Sequence, residues 1–348
     1  MTATPGAGTG SGVFARRALA VALGAALLQM LMVTAFAWPS ARIAPRELPI
    51  VVAGPGADAL ASRLDHERPG MFDVTVRPDE ASARADLTGR RAYGAIVTGP
   101  AGPRVMVASA ASPMVAQQLS QLSQLATPPG RPGGAADAPG RAAPAAVQDV
   151  VPAAADDPRG AGFGAMVLPL VMSAIAGAAL LTLTVRSVPW RFAGVVLFAV
   201  LGGLATGWLA RYGLSLLPGS YVETAGGAAL AILAVAGAVV GLADVLGRPG
   251  LALGGLTMLL VGNPLSAATS APELLPRPWG EIGQYLPPGA AATLLRATAF
   301  FDGARIATPL AVLLAWALGG LALLGVAALR ARGRGTAETV AEREAVPA

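Results

Sequence analysis

Six stretches of about twenty residues or more carry no charged side chain: 18–41, 161–185, 192–210, 224–243, 249–272 and 306–329. A hydrocarbon core of ~30 Å takes about 20 apolar helical residues to cross. None of the six shows the one-sided polar stripe of a surface helix, and each is bounded by a charge or by a proline or glycine break. A soluble chain could bury one or two such helices. Six in 348 residues predict a polytopic α-helical membrane protein with six transmembrane helices.

Between the first two stretches the pattern changes. Residues 48–53, 72–76, 93–97 and 104–108 read as strands, and 58–67, 79–91 and 112–126 as helices. Asp79 is the expected N-cap of the second of these helices, and Ser112-Pro113 opens the third. The order β-α-β-α-β-β-α predicts a small α/β domain over 42–126. Residues 127–160, rich in Pro, Gly and Ala, read as a flexible linker. Residues 161–330 then form a five-helix membrane domain, interrupted by an interfacial or re-entrant segment over 263–304. Residues 1–17 and 331–348 are the two flanking tails.

Composition supports this picture: 54% of residues are hydrophobic, 13% are charged, and the mean hydropathy is +0.59. It also removes whole classes of chemistry. There is no Cys, no Lys, and one His, His66, beside Asp65 and Glu67 on a charged helix. A Walker A loop needs its lysine, and Cys-ligated or multi-His metal centres need residues this chain lacks. No catalytic, cofactor-binding or metal-ligating set is read, so the chain is not expected to be an enzyme. Gly54-Pro55-Gly56 follows a strand, but position 59 is Ala, so the dinucleotide fingerprint is incomplete and a turn is expected. Asp156-Asp157 reads as a solvated turn before a helix.

All 25 basic residues are Arg, and their placement gives an orientation. With the N-terminus inside, nine Arg and four acids lie inside; the outside segments balance at 16 of each. Arg16, Arg17, Arg186, Arg191, Arg248 and Arg330 all flank spans, as the positive-inside rule requires. The high pI is therefore an orientation signal, and no nucleic-acid partner is expected. The expected location is the plasma membrane, with both termini cytoplasmic and 42–160 outside. Arg16-Arg17 and Ala35-Phe36-Ala37 also resemble a cleavable signal; the length of the run and Trp38 favour an uncleaved signal anchor over 18–41.

Gly203 and Gly207, Gly237 and Gly241, and Gly250 and Gly254 are spaced for close helix approach, either within one bundle or across a dimer face. No ionisable residue lies in the middle of a span, which argues against proton-coupled transport and intramembrane proteolysis. The segment after the fifth span is unusually long for a connection and rich in Trp, Tyr and Phe. Asn263, Pro264, Trp279, Tyr285, Pro287, Pro288 and Arg296 are candidate gate or lid residues within it. Arg296, in an apolar helix, is expected to pair with Glu273, Glu281 or Asp302.

Asn263-Pro264-Leu265-Ser266 and Leu286-Pro287-Pro288-Gly289, with the order of one span, an outside domain and five spans, carry a family resemblance. The chain resembles the permease subunits of type-2 ABC exporters, especially the phage-infection-protein group of bacterial membrane proteins. The resemblance implies a separate ATPase subunit, a homo- or heterodimer, and an amphiphilic or envelope-associated substrate moved outward. It also implies cytoplasmic coupling near Arg186 and Arg191. Segment 1–14 is not amphipathic and the turn 186–191 is short, unlike the docking elements of that family. The alternative is a non-transporting membrane-anchored protein whose outside domain binds a cell-envelope or phage component.

Overall fold

The computed structural model describes residues 9–100, 102–125 and 147–344, with 9–12, 122–125 and 334–344 described by backbone alone. The chain is mostly helical with a small mixed sheet. Among the described residues, five helices are long and apolar enough to cross a membrane: Val13–Ser40, Ala161–Thr184, Val188–Gly213, Tyr221–Leu246 and Ala307–Gly333. They belong to α1 (Thr9–Ser40), α5 (Ala161–Thr184), α6 (Val188–Trp208, continued by a π-turn over Leu209–Gly213), α7 (Tyr221–Leu246) and α11 (Ala307–Glu344).

The expected span over 249–272 is not a helix of that length. Helix α8 (Arg248–Leu256) and a π-turn (Thr257–Gly262) end where Asn263 and Pro264 turn the chain. At ~1.5 Å per residue, Arg248–Gly262 reaches about 22 Å, short of the ~30 Å hydrocarbon core. Uncharged composition continued past Gly262, but the Gly and Pro break the backbone ladder.

Helix α7 is the axis of the bundle; α5, α6, α8, α10 and α11 all pack on it. Its apolar window is 61% buried, against 28% or less for the other long helices. It can be surrounded because it is built largely of Ala, Gly and Val. The spaced glycines are taken up here, inside one chain. A Cβ on Gly203 would stand 2.6 Å from the Ala225 carbonyl, and one on Gly207 2.9 Å from Ala225 Cα. Gly241 and Gly237 face Gly320 of α11, and Gly250 and Gly254 face Leu242 and Val239. In lipid, where hydrophobicity does not drive helices together, such close van der Waals approach does.

The sheet lies between α1 and α5 in sequence. Its order is β2-β1-β3-β4-β5, from β1 (Leu48–Ala53), β2 (Phe72–Arg77), β3 (Gly94–Val97), β4 (Arg104–Val107) and β5 (Val147–Asp149). Only β3–β4 is antiparallel, the others being parallel, with Ile50 opposite Val74 and Gly94. Helices α2 (Ala57–Glu67), α3 (Glu80–Thr88) and α4 (Pro113–Leu125) connect the strands in the expected order. Asp79 caps α3 by accepting from Ser82 N–H at 2.8 Å. Gly54 takes φ +96° with Thr98 against it, and the Thr98 hydroxyl donates to the Pro55 carbonyl at 2.7 Å, so Gly54-Pro55-Gly56 is a filled turn. His66 is exposed on α2. Buried Asp86 accepts from Arg77 and Arg91, each at 2.6 Å. Burial pushes that carboxyl up, but the two guanidiniums outweigh it and hold it below the usual carboxylate range.

The expected linker differs over residues 147–160. Residues 126–146 lie outside the described residues, but β5 pairs with β4, and Val150 N–H continues the ladder to the Val107 carbonyl at 2.8 Å. Asp157, expected to be solvated, is buried and accepts from Phe163 N–H at 2.9 Å in the first turn of α5.

Candidate functional site

Segment 263–304 is the seat between the sheet and the bundle. Beyond Asn263 the chain makes a single 3-10 turn (Pro272–Leu274), then α9 (Trp279–Gln284) and α10 (Pro287–Phe300). Proline opens α10, where its missing N–H costs nothing. The segment is folded tightly on itself. A Cβ on Gly280, Gly283 or Gly289 would stand 2.0, 1.8 and 2.2 Å from the carbonyls of Pro272, Leu265 and Gly283. It is a compact plug.

The plug contacts both neighbours. Toward the sheet, Ala44 N–H donates to the Leu274 carbonyl at 3.0 Å and Arg46 N–H to the Glu273 carbonyl at 3.1 Å. Arg277 forks onto Glu47, its Nη1 at 2.8 Å from Oε1. Phe301 is buried in one apolar cluster of the sheet domain, and Ala271 and Leu274 in the other. Toward the bundle, α10 lies on α7, and Trp316 Nε1–H of α11 donates to the Tyr285 carbonyl at 2.9 Å.

The candidate lid residues divide into two groups. Trp279 and Tyr285 are exposed on the outer rim, Trp279 edge-on to Trp38 at 6.4 Å between centroids. Pro287 and Pro288 are buried, and Pro264 is half-buried. Asn263 is buried; its backbone carbonyl accepts from the Ser266 hydroxyl at 2.7 Å, while its side-chain amide nitrogen has no partner among the described residues.

Arg296 corrects the expectation attached to it. It makes no ion pair with Glu273, Glu281 or Asp302, and it does not reach outward, being 5% exposed. Its Nη2 donates to the Ala268 carbonyl at 2.6 Å, and its guanidinium lies over the Phe163 ring at 4.8 Å. Burial, with repulsion from Arg90, pushes its pKa down to about 10.

Sequence reasoning missed the group that faces Arg296. A cavity of about 520 Å³ lies between plug, sheet and the start of α11, lined among others by Arg90, Tyr93, Glu273, Arg296, Arg305 and Thr308. Tyr93 O–H donates to Glu273 Oε2 at 2.8 Å; burial and that carboxylate push the phenol's pKa up. Arg90 is half-buried over the Phe301 ring at 5.4 Å, and burial lowers its pKa. Nothing local signalled this set, since Arg90 and Arg296 are brought together only by the fold.

At the opposite end of the bundle, the two coupling candidates are unlike each other. Arg186 is exposed. Arg191 is held internally: Nη1 pairs with Asp244 of α7, while Nε and Nη2 donate to the carbonyls of Val185 at 2.5 Å and Thr182 at 2.9 Å. Arg191 is thus a clamp that closes the α5–α6 turn. No family model, curated protein or solved structure matches this chain.

Proposed function

We propose that the chain is the membrane subunit of an exporter in the plasma membrane, moving an amphiphilic or envelope-associated substrate outward, with ATP hydrolysis supplied by a separate chain. The carrying observation is the plug: one folded segment touches both the sheet domain and α7, so a shift of the bundle would be passed to the sheet. Two further facts support the reading. The middles of the five long apolar helices hold no ionisable residue, which argues against an ion-coupling relay as the energy source. Without a lysine, the chain itself holds no Walker A loop.

A second reading has its own observation. The α5–α6 turn is short and Arg191 is tied to Asp244, leaving little for an ATPase to grip. This favours a membrane-anchored receptor whose sheet domain binds an envelope component.

Affinity purification after crosslinking in intact cells separates them. The exporter reading predicts an ATPase captured with the chain, and at least a severalfold loss of capture in Arg186→Glu with unchanged membrane level. Capture of envelope material and no ATPase would put the receptor reading first.

A further inference from the structure

The cavity beside Arg296 has an excess of positive charge that the protein does not neutralise. Among the described residues, no carboxylate lies within 4 Å of the guanidinium nitrogens of Arg90, Arg296 or Arg305. Arg91 also borders the cavity, but it is tied to Asp86. Glu273 is the one acid in the lining, and it accepts from Tyr93. Three guanidiniums without an ion pair share the cavity with one carboxylate, Arg90 donating to the Thr293 carbonyl at 3.4 Å and Arg296 to that of Ala268 at 2.6 Å. Two of them are also partly withdrawn from water; carbonyls and aromatic rings meet some of their N–H groups, but their charge has no counter-ion within ion-pair distance among the described residues.

The three arginines stand on separate elements: the turn after α3, the middle of α10, and the turn before α11. Arg90 and Arg305 hold φ of 54° and 58°, a backbone region that side chains other than glycine seldom adopt and that tends to occur where function requires it. Ala307 and Thr308 open α11 against the same cavity, so the positive end of a long helix dipole adds to the field. Donors from three directions suit a tetrahedral oxyanion, which offers more acceptors than a planar carboxylate.

The cavity lies where α11 begins its apolar span, and exposed Trp279 and Tyr285 belong to the same plug. Aromatic side chains of this kind collect at the level of lipid headgroups. We propose that this cavity binds a phosphate-type oxyanion, presented by a net-negative lipid headgroup at the membrane surface. The binding is independent of transport, and it stands or falls separately from the exporter reading.

The test uses the full chain in non-ionic detergent, with thermal unfolding as readout, because a ligand of the folded state raises its stability by mass action. The probes are dihexanoyl-phosphatidylglycerol, dihexanoyl-phosphatidylcholine and inorganic phosphate. The glycerol lipid should raise the melting temperature saturably and the choline lipid should not. Arg305→Gln and Arg90→Gln should each shift the half-saturating concentration at least tenfold. Arg305 is exposed and unpaired, so its variant should melt near wild type without ligand and remain a valid reporter. Saturable stabilisation by inorganic phosphate alone, lost in the same variants, would keep the site and overturn the lipid as its source. Equal shifts by the two lipids, or a glycerol-lipid shift undiminished in both variants, would overturn the site itself.

Discussion

Gly320→Leu should remove most of the folded bundle, whereas Gly319→Leu, one residue earlier, should leave it intact. A Cβ on Gly320 would stand 2.4 Å from the carbonyl carbon of Gly237 and 2.5 Å from Ala238 N. Those are backbone atoms at the centre of α7, so no rotamer change relieves the clash. Overpacking costs about 1–3 kcal/mol where neighbours can yield. Here the α7–α11 contact itself must open, and the whole leucine must follow the first carbon. Gly320→Ala should already cost about 1–3 kcal/mol. Gly319 meets nothing within 4 Å and is exposed, so a leucine there gains roughly the helix-propensity difference of about 1 kcal/mol or less. Size-exclusion profiles and melting curves in detergent measure both. Matching profiles for the two leucine variants would mean that α7 and α11 do not pack at these glycines.

Arg191→Glu should be as damaging, for an electrostatic reason. The Asp244 side chain is 1% exposed and Arg191 is its ion-pair partner. Removing one member of a buried pair costs about 3–5 kcal/mol, because the other charge is left uncompensated. The substitution also brings a second carboxylate to the same place and strips the Val185 and Thr182 carbonyls of their donors. Arg191→Gln should be milder, since it loses the charge and keeps an N–H donor. Asp244→Asn combined with Arg191→Gln should recover part of the loss, as expected of residues that share one network. A double variant no better than the sum of the singles would deny the pair. Membrane orientation must be followed in the same samples, because Arg191 also counts toward the positive-inside signal.

The sheet domain was legible because its signals are local. Apolar runs of four to six residues, a capping Asp79 and the Ser112-Pro113 start each act within one element. The long spans were legible for the same reason, through uninterrupted apolar length. Three features were not. The 249–272 stretch is as uncharged as its neighbours, but Gly262 and Pro264 end the helix early, and hydropathy does not register a broken ladder. Composition made 127–160 look uniform, yet Val147–Asp149 finds a strand edge that only the folded sheet provides. Arg296 was expected to seek an acid. Instead it meets a carbonyl 28 positions away and the Phe163 ring, neutral partners that no spacing rule proposes. The cavity around it is the extreme case, since its charged walls come from parts of the chain some two hundred residues apart.

The proposed function places the sheet, the plug and the arginine cavity outside and the Arg-rich turns inside. The chain has no cysteine, so single cysteines can be placed without background. Ser62 and Ser215 are exposed at the sheet end of the molecule, and Ser187 and Ala331 are exposed at the other. Intact cells expressing each single-cysteine variant are treated with a membrane-impermeant maleimide, then broken and treated again. The account predicts labelling of Ser62→Cys and Ser215→Cys before lysis, and of Ser187→Cys and Ala331→Cys only after it. Labelling of Ser187→Cys or Ala331→Cys in intact cells, with Ser62→Cys protected, would contradict it.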